Sequence, residues 1–255
     1  MSFMRFLGIN LCEKVPDAKT IWKFKNDLAE TETVDKLFCM FDEHLENKGL
    51  ISHKGTIVDA TFVDAPRQRN SRDENKKIKN GVIPEGWEKP ENKSKLAQKD
   101  IDADWTKKNG ERHFGYKDHV KCDADSKLIT NYSVTSASVH DSQRCLVFIG
   151  QEDEVLYADS AYSGKPIALA LPENCKNQIC EKGYRNSPLT SEQKMNNRRK
   201  SRIRCRIEHI FGFMTGAMHG ITIRSIGITR AWMNIGITNL VYNFCRYSYL
   251  KRASA

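Results

Sequence analysis

Three acidic residues stand in sequence contexts that could support phosphodiester chemistry. Asp59 lies within the β-branched and aromatic run GTIVDATFVDAP, Asp159 follows the run EVLYA, and Glu208 lies in a stretch rich in lysine and arginine. Three carboxylates in one cleft repel one another unless cations neutralise them, and hard oxygen ligands select Mg²⁺ or Mn²⁺. Two such ions roughly 4 Å apart can activate a water or a 3′-hydroxyl and stabilise the leaving oxygen of a phosphodiester displacement. These acids are the candidate catalytic residues and metal ligands.

Each acid taken alone has an ordinary structural explanation. An aspartate in or after a strand usually joins a turn or a hydrogen bond, and a glutamate on a basic helix usually forms helical ion pairs. The chemical interpretation therefore depends on whether the fold brings all three acids together.

The predicted order of elements would bring them together. The patterns predict a strand carrying Asp59, then a hairpin turning at residues 123–126 and a short helix from residue 140. A strand ending at Asp159 and a helix at residues 166–171 should follow. The last predicted elements are a short strand NQICEK and a basic helix from Thr190 or Ser191 that carries Glu208. This is the order of a ribonuclease-H-like α/β fold, a mixed sheet flanked by helices. In such a sheet the first strand is central and lies beside the strand that ends at Asp159.

The chain divides into two predicted parts. Apolar residues recur at spacings of three and four between residues 18 and 48, which predicts two amphipathic helices. We therefore expect a short helical segment over residues 1–50 and the α/β domain over 51–255. Within that domain, residues 67–110 are basic and poor in apolar residues, which predicts a long loop or an ordered insertion. A mostly buried closing helix is expected over 230–250.

Composition favours a nucleic-acid partner. The chain of 255 residues has a formal net charge of +9, and such an excess favours polyanions. No run approaches the roughly 18 apolar residues of a membrane span, and the N-terminus resembles neither an anchor nor a signal peptide. Eight cysteines without metal-site spacing are expected to be buried, reduced thiols. We expect a cytoplasmic protein without a membrane partner.

Two basic segments are candidates for DNA contact. The first is the basic helix, whose candidate DNA-binding residues are Arg198, Arg199, Lys200, Arg202, Arg204 and Arg206. It would contact phosphates, although a run of charge is often only a solvated helix face. The second is the 67–110 segment with Trp87 and Trp105. It could hold a frayed DNA end by stacking, or it could be a solvated loop that its tryptophans anchor to the core.

Several motifs resemble one known family, the IS5 group of the IS4-like DDE insertion-sequence transposases. The resemblance is carried by five blocks distributed over most of residues 51–245: GTIVDATFVDAPRQRN, FGYKDHVKCDADSKLI, SVTSASVHDS, VLYADSAYSG and RCRIEHIFGFM. Together these blocks are far more specific than any single motif.

The resemblance implies a DDE transposase with a ribonuclease-H-like core and two Mg²⁺ or Mn²⁺ ions. It would cleave and join double-stranded DNA at the terminal repeats of its element and at the target, as a homodimer on DNA, in the bacterial cytoplasm at the nucleoid. Asp59, Asp159 and Glu208 match the three catalytic acids of the family. Tyr162 matches a supporting aromatic residue after the second acid, and Arg204 matches an arginine four residues before the glutamate.

Other features depart from the family pattern. Ser201 and Thr215 stand where the family often has a tyrosine and a lysine, which affects the expected contacts to the DNA end. The segment PDAKTIWKFKNDLAE resembles the tail of a helical N-terminal domain, so residues 1–50 are interpreted as a remnant of it in a shortened product. Two alternatives stay open: a truncated, non-catalytic DNA-binding relic, and a general metal-dependent nuclease that cleaves DNA without joining it.

Overall fold

The computed structural model describes residues 2–10, 12–108 and 110–253. Within these ranges the chain forms six strands, which are β1 Thr56–Asp64, β2 Asp104–Lys108, β3 Glu111–Asp123, β4 Ile129–Ser136, β5 Val155–Tyr157 and β6 Lys176–Asn177. The α-helices in the same ranges are α1 Ser2–Leu7, α2 Ala18–Glu30, α3 Thr33–Asn47, α4 Arg72–Lys79, α5 Lys93–Ala97, α6 Ser142–Phe148, α7 Lys165–Ala170, α8 Ser191–Arg204, α9 Arg206–Thr215 and α10 Ile228–Ala253. Two short 3₁₀ turns lie at Pro90–Asn92 and Ser160–Tyr162.

The strands form one mixed sheet with β1 in the middle. The order is β2-β3-β1-β5-β6, and β4 also pairs with β3. Strand β1 is antiparallel to β3 over its whole length and parallel to β5. The predicted hairpin is confirmed as β3 and β4. The mixed sheet flanked by helices is consistent with the ribonuclease-H-like fold class that the element order predicts.

Gly115 allows the long strand β3 to pass closely beside the end of β1. Its φ is +146°, and a Cβ atom there would overlap the carbonyl oxygen of Val63. Only glycine adopts this conformation without strain and leaves room for the neighbouring backbone. Beyond this point β3 continues past the end of β1 and pairs with β2 over Glu111–Gly115.

Helices cover both faces of the sheet because successive β1 side chains point to opposite sides. Ile57 and Val63 belong to a core that includes residues of α3, α9 and α10. Val58 belongs to a second core built with β5, α6 and α7. The predicted closing helix is confirmed as α10, but its buried residues lie between Ala231 and Asn243, and Phe244 near its carboxyl end is 45% exposed. None of the helices in the described part of the chain is long and apolar enough to cross a membrane.

The N-terminal helices pack against the rest of the protein. Phe38 of α3 lies in the main core, and Ala29 and Val34 pack with Met233 of α10. The two amphipathic helices predicted over residues 18–48 are confirmed as α2 and α3. The division of the chain at residue 50 stays a prediction.

Residues 67–110 form an ordered insertion that contains α4, α5 and β2; Asn109 within it lies outside the described residues. Trp87 is 2% exposed, and its indole nitrogen donates to Glu74 at 3.0 Å. The ammonium groups of Lys95 and Lys99 lie over its ring. The Trp87 ring is therefore occupied within the insertion, which favours the anchored alternative over stacking on DNA for this residue.

Three sequence predictions are wrong in detail. The predicted strand NQICEK is assigned as a strand only at its first residue, Asn177, although the backbone N–H groups of Gln178 and Cys180 still donate to the carbonyls of Leu156 and Ala158. The single basic helix predicted through Glu208 is two helices that meet at Cys205, whose ψ is −9°. Not all cysteines are buried: the thiols of Cys12, Cys39 and Cys245 are free and exposed.

Candidate active site

Asp59 lies on β1, and Asp159 follows the end of β5, the neighbouring parallel strand. The pairing of Thr56 with Leu156 and of Ile57 with Tyr157 has an offset of 100 residues. Continuing that offset past the end of β5 brings Asp159 level with Asp59. Asp159 caps the 3₁₀ turn Ser160–Tyr162 and accepts the Ala161 N–H at 2.6 Å. The second acid therefore follows the strand end, as predicted.

Arg204 joins Asp59 to Glu208. The helix α9 packs on the sheet through Ile207 and Ile210, and Glu208 lies in its first turn. One guanidinium nitrogen of Arg204 donates to Asp59 Oδ2 at 2.9 Å, and the other donates to Glu208 Oε1 at 3.1 Å. Charge-assisted pairs of this kind fix geometry as well as adding energy. Arg204 and Glu208, four residues apart, therefore remain in contact although the helix breaks at Cys205 between them.

Electrostatics link the three acids. Burial raises the pKa of Asp59, the Ala60 N–H and Arg204 oppose that shift, and the charge of Asp159 adds to it. Burial alone would lower the pKa of Arg204, but Asp59, Glu208 and Asp159 together raise it. The side chain of Glu208 is 60% exposed. One half-buried cation, Arg204, thus acts on three acids, and the site is open to solvent on the Glu208 side.

Tyr162 lies beneath this group of acids. The residue is 1% exposed and packs in the second core with Val58. Burial raises the pKa of its hydroxyl, and the charges of Asp59 and Asp141 add to that shift. Its hydroxyl has no hydrogen-bond partner among the described residues. The Tyr162 hydroxyl therefore stays protonated at neutral pH, and its role as a support for the acids stays a prediction.

The donor set fits a hard divalent cation. Carboxylate oxygens are the ligands that Mg²⁺ and Mn²⁺ prefer. Asp59 and Glu208 already share one positive group, Arg204, and the charge of Asp159 reaches the same group. Three carboxylates with one guanidinium leave negative charge uncompensated, so these residues could hold a divalent metal.

A second polar cluster lies at the other end of β1 and β5. His53, Glu152 and Asp153 have potential ligand atoms that all lie within 4.8 Å of one another. Asp153 is paired with Lys121 at 2.8 Å and accepts a 2.6 Å hydrogen bond from Thr56. Sequence reasoning missed this cluster; the acidic run Glu152–Glu154 before β5 is the signal that could have indicated it.

The candidate DNA-binding residues of α8 and α9 form two groups. Arg198, Arg199 and Arg202 are exposed. The other three contact the protein: Lys200 donates to the Ile179 carbonyl at 2.9 Å, Arg206 donates to Asp125 at 3.0 Å, and Arg204 binds the acids. The first group is therefore the part of the set that is open to a phosphate.

The two residues that depart from the family pattern are uncharged, and each has a neutral neighbour. The Ser201 hydroxyl lies 3.8 Å from the sulfur of Cys180. The Thr215 hydroxyl donates to the Phe211 carbonyl at 2.9 Å, within its own helix. Neither residue adds a positive charge near Glu208.

Comparison with known families agrees with this geometry. Residues 51–244 match the family model described as the transposase DDE domain, and this range contains Asp59, Asp159 and Glu208. No solved structure matches the chain at a significant level. The matched range covers the whole sheet and most of α10. Members of this class use divalent metal ions and act on DNA. Since the match covers well over half of the sequence, the chain belongs to the family of DDE transposase domains, the IS4-like kind that its motifs resemble.

Proposed function

We propose that this protein catalyses metal-dependent cleavage and strand transfer at the ends of a bacterial insertion sequence of the IS5 group. The observation that carries the proposal is the convergence of Asp59 and Glu208 on Arg204, with Asp159 just after the end of the neighbouring strand β5. This arrangement joins one residue from each of the three motif blocks that the family resemblance assigns to catalysis.

The acids and the arginine have different roles in this proposal. Asp59, Asp159 and Glu208 would hold two Mg²⁺ or Mn²⁺ ions. When bound, such ions supply an activated nucleophile and stabilise the leaving oxygen of a phosphodiester displacement. Arg204 lowers the pKa of Asp59 against the effect of burial and orients Glu208. Tyr162 supports the acids from the protein interior.

The DNA partner would contact the exposed arginines of α8. Arg198, Arg199 and Arg202 have i, i+1 and i+4 spacing, which places them on one side of the helix. Contacts with phosphate oxygens would position the duplex without reading its sequence. We propose that the partners are the element's terminal repeats and the target DNA, that the working form is a homodimer on DNA, and that the protein acts at the nucleoid in the cytoplasm.

The test is cleavage and strand transfer on DNA that carries the element's own flanking ends, with Mg²⁺ or Mn²⁺. We compare the wild type with Asp159→Ala and with Asp27→Ala, a matched control at an exposed aspartate of α2. Products should appear with the wild type and the control and be absent with Asp159→Ala. Equal product from all three proteins would overturn the proposal.

A non-catalytic DNA-binding relic is the alternative function. The neutral residues Ser201 and Thr215, which stand where the family often has a tyrosine and a lysine, favour it. If the wild type binds DNA but yields no product, this alternative replaces the catalytic proposal. If DNA is cut but the liberated 3′-hydroxyl is never joined to target DNA, the protein is a nuclease.

A further inference from the structure

The insertion and the sheet edge enclose a cleft that the acids do not touch. It lies between the α4 region of the insertion and the β2–β3 pair, with a volume of about 520 Å³. Its lining includes three cationic side chains and three side-chain amides, which are Arg72, Lys107, Arg112, Gln68, Asn70 and Asn75. Among the described residues, no carboxylate lines it. Arginine, lysine, asparagine and glutamine are residue types that donate hydrogen bonds to DNA phosphates.

The cleft contains a pair of like charges with no internal compensation. Lys107 and Arg112 stand directly opposite each other on β2 and β3. Like charges in this position destabilise a sheet. Within the described residues, neither cation makes an ion pair or a hydrogen bond with its side chain, and the same holds for Arg72. The next cross-strand pair, Lys108 with Glu111, has opposite charges. A polyanion bound in the cleft would relieve the repulsion.

The strand register places the cleft on the same side of the sheet as Asp59, and Phe114 and Tyr116 between them are buried in the main core. Asp59 pairs with Val120, and Arg112 lies eight residues before Val120 on the same strand. Eight is an even number, so Arg112 and Val120 point to the same face. At about 3.3 Å per residue the separation along β3 is about 26 Å. That length corresponds to about eight steps of duplex DNA at roughly 3.4 Å per step.

The cleft is suited to a sugar-phosphate backbone and poorly suited to a stacked base. Trp105, its aromatic residue, is half-buried and packs against Phe114 with ring centroids 5.1 Å apart. The guanidinium of Arg67 lies over the same ring at 5.8 Å. The tryptophan ring therefore has little free surface for a nucleobase, whereas the cations and amides at the rim are exposed or half-buried.

We propose that this cleft binds the phosphate backbone of duplex DNA about eight base pairs from the acids, as a second anchoring point beside the exposed arginines of α8. The proposal rests on the proposed function for its DNA partner, but it concerns binding and not chemistry. Two separated anchors would fix the direction of the duplex relative to the acids.

The experiment measures binding of a mixed-sequence 24-base-pair duplex by fluorescence anisotropy, with EDTA and without divalent metal, between 50 and 200 mM KCl. The test variant is Arg72→Ala/Arg112→Ala, and both side chains are exposed. The matched control is Lys165→Ala/Lys176→Ala, which removes two exposed cations near the β6 edge. Melting curves verify that both variants fold.

We expect the test variant to bind about tenfold or more weakly at 100 mM KCl. The slope of log K against log salt should become less steep by about 2, since two phosphate contacts are lost. The control should bind like the wild type. A test variant that matches the control would overturn the proposal, and so would a wild type that binds no duplex.

A 24-nucleotide single strand distinguishes the occupant. If the test variant loses affinity for the single strand but not for the duplex, the cleft holds an unpaired strand and the duplex proposal is wrong. Because no turnover is measured, a protein that fails to cleave DNA can still support the cleft. Conversely, if the wild type cleaves DNA normally but the test variant binds DNA like the control, the cleft proposal fails while the proposed function stands.

Discussion

Both ends of the strand pair β1 and β5 carry acidic residues beside a cationic residue, but the charges balance at one end and not at the other. At the amino end, Asp153 and Lys121 are 2% and 8% exposed at their side chains and form a 2.8 Å pair. The oxygens of Asp153 also accept hydrogen bonds from Thr56 and from the Gly150 N–H. This pair is dry and its hydrogen bonds are satisfied, which are the conditions under which a buried ion pair is tolerated.

At the carboxyl end, one arginine serves several acids. Arg204 contacts both Asp59 and Glu208, and the charge of Asp159 acts on it as well. Glu208 remains largely exposed, and negative charge is in excess. The difference teaches that a buried ion pair whose charges balance stabilises the fold. A partly exposed group with excess negative charge can instead accept a cation or a substrate.

The largest expected effect is the loss of chemistry on Asp59→Asn. The substitution keeps the shape of the side chain but removes the negative charge that would hold a metal. We expect cleavage to fall by about 10³-fold, on the scale seen when one electrostatic group of an active site is removed. The measurement is the single-turnover cleavage rate. A residual rate above about one tenth of the wild-type rate would show that Asp59 is not a catalytic residue.

Asp153→Asn should affect the stability of the fold instead of the chemistry. It leaves Lys121 buried without a charged partner, so we expect the free energy of unfolding to fall by about 3–5 kcal/mol. Urea denaturation followed by circular dichroism measures this loss. Glu152→Gln is the matched control, because Glu152 is 53% exposed and lies 3.8 Å from the same lysine. Its effect should stay below about 1 kcal/mol. Equal effects from the two variants would contradict the burial argument.

Metal stabilisation locates the cation. A ligand that binds only the folded state at about 100 times its Kd stabilises that state by about 2.7 kcal/mol. We therefore expect Mn²⁺ to raise the melting temperature of the wild type by several degrees. Asp59→Asn should abolish that increase, and His53→Ala should preserve it. The reverse pattern would place the metal in the cluster of His53, Glu152 and Asp153 instead.

The sequence was sufficient for the central part of the fold because its signals are local. The β-branched run around Asp59 predicted β1, and the turn at residues 123–126 predicted the hairpin. Thr190 was recognisable as a helix start, and it forms a capping box with Gln193. The placement of the acids on their elements followed from these periodic segments.

The missed features depend on tertiary contacts. The break between α8 and α9 at Cys205 has no proline or glycine to indicate it. The partnership of Lys121 with Asp153 joins residues that are 32 positions apart, and no local spacing rule indicates such a pair.

The smallest expected effect concerns Asp42, which lies near the amino-end cluster. Burial raises its pKa to about 7, and the charge of Glu46 adds to that shift, while Lys121 and His53 oppose it. Because the pKa is higher in the folded state than in the unfolded state, this group favours folding at low pH. That contribution is lost as the pH rises from about 4 through 7. Asp42→Asn should remove this pH-dependent loss of stability, because asparagine does not titrate.

The measurement compares wild type and Asp42→Asn by urea denaturation between pH 4.5 and 8. The stability of the variant relative to the wild type should increase with pH by up to about 1 kcal/mol, an amount reduced from the full linkage value because Asp42 is only partly buried. Parallel pH profiles would show that the carboxyl titrates alike in both states. A rising difference would show that the amino end tolerates a further acid only when it is protonated, in contrast to the carboxyl end, where Arg204 donates hydrogen bonds to two carboxylates.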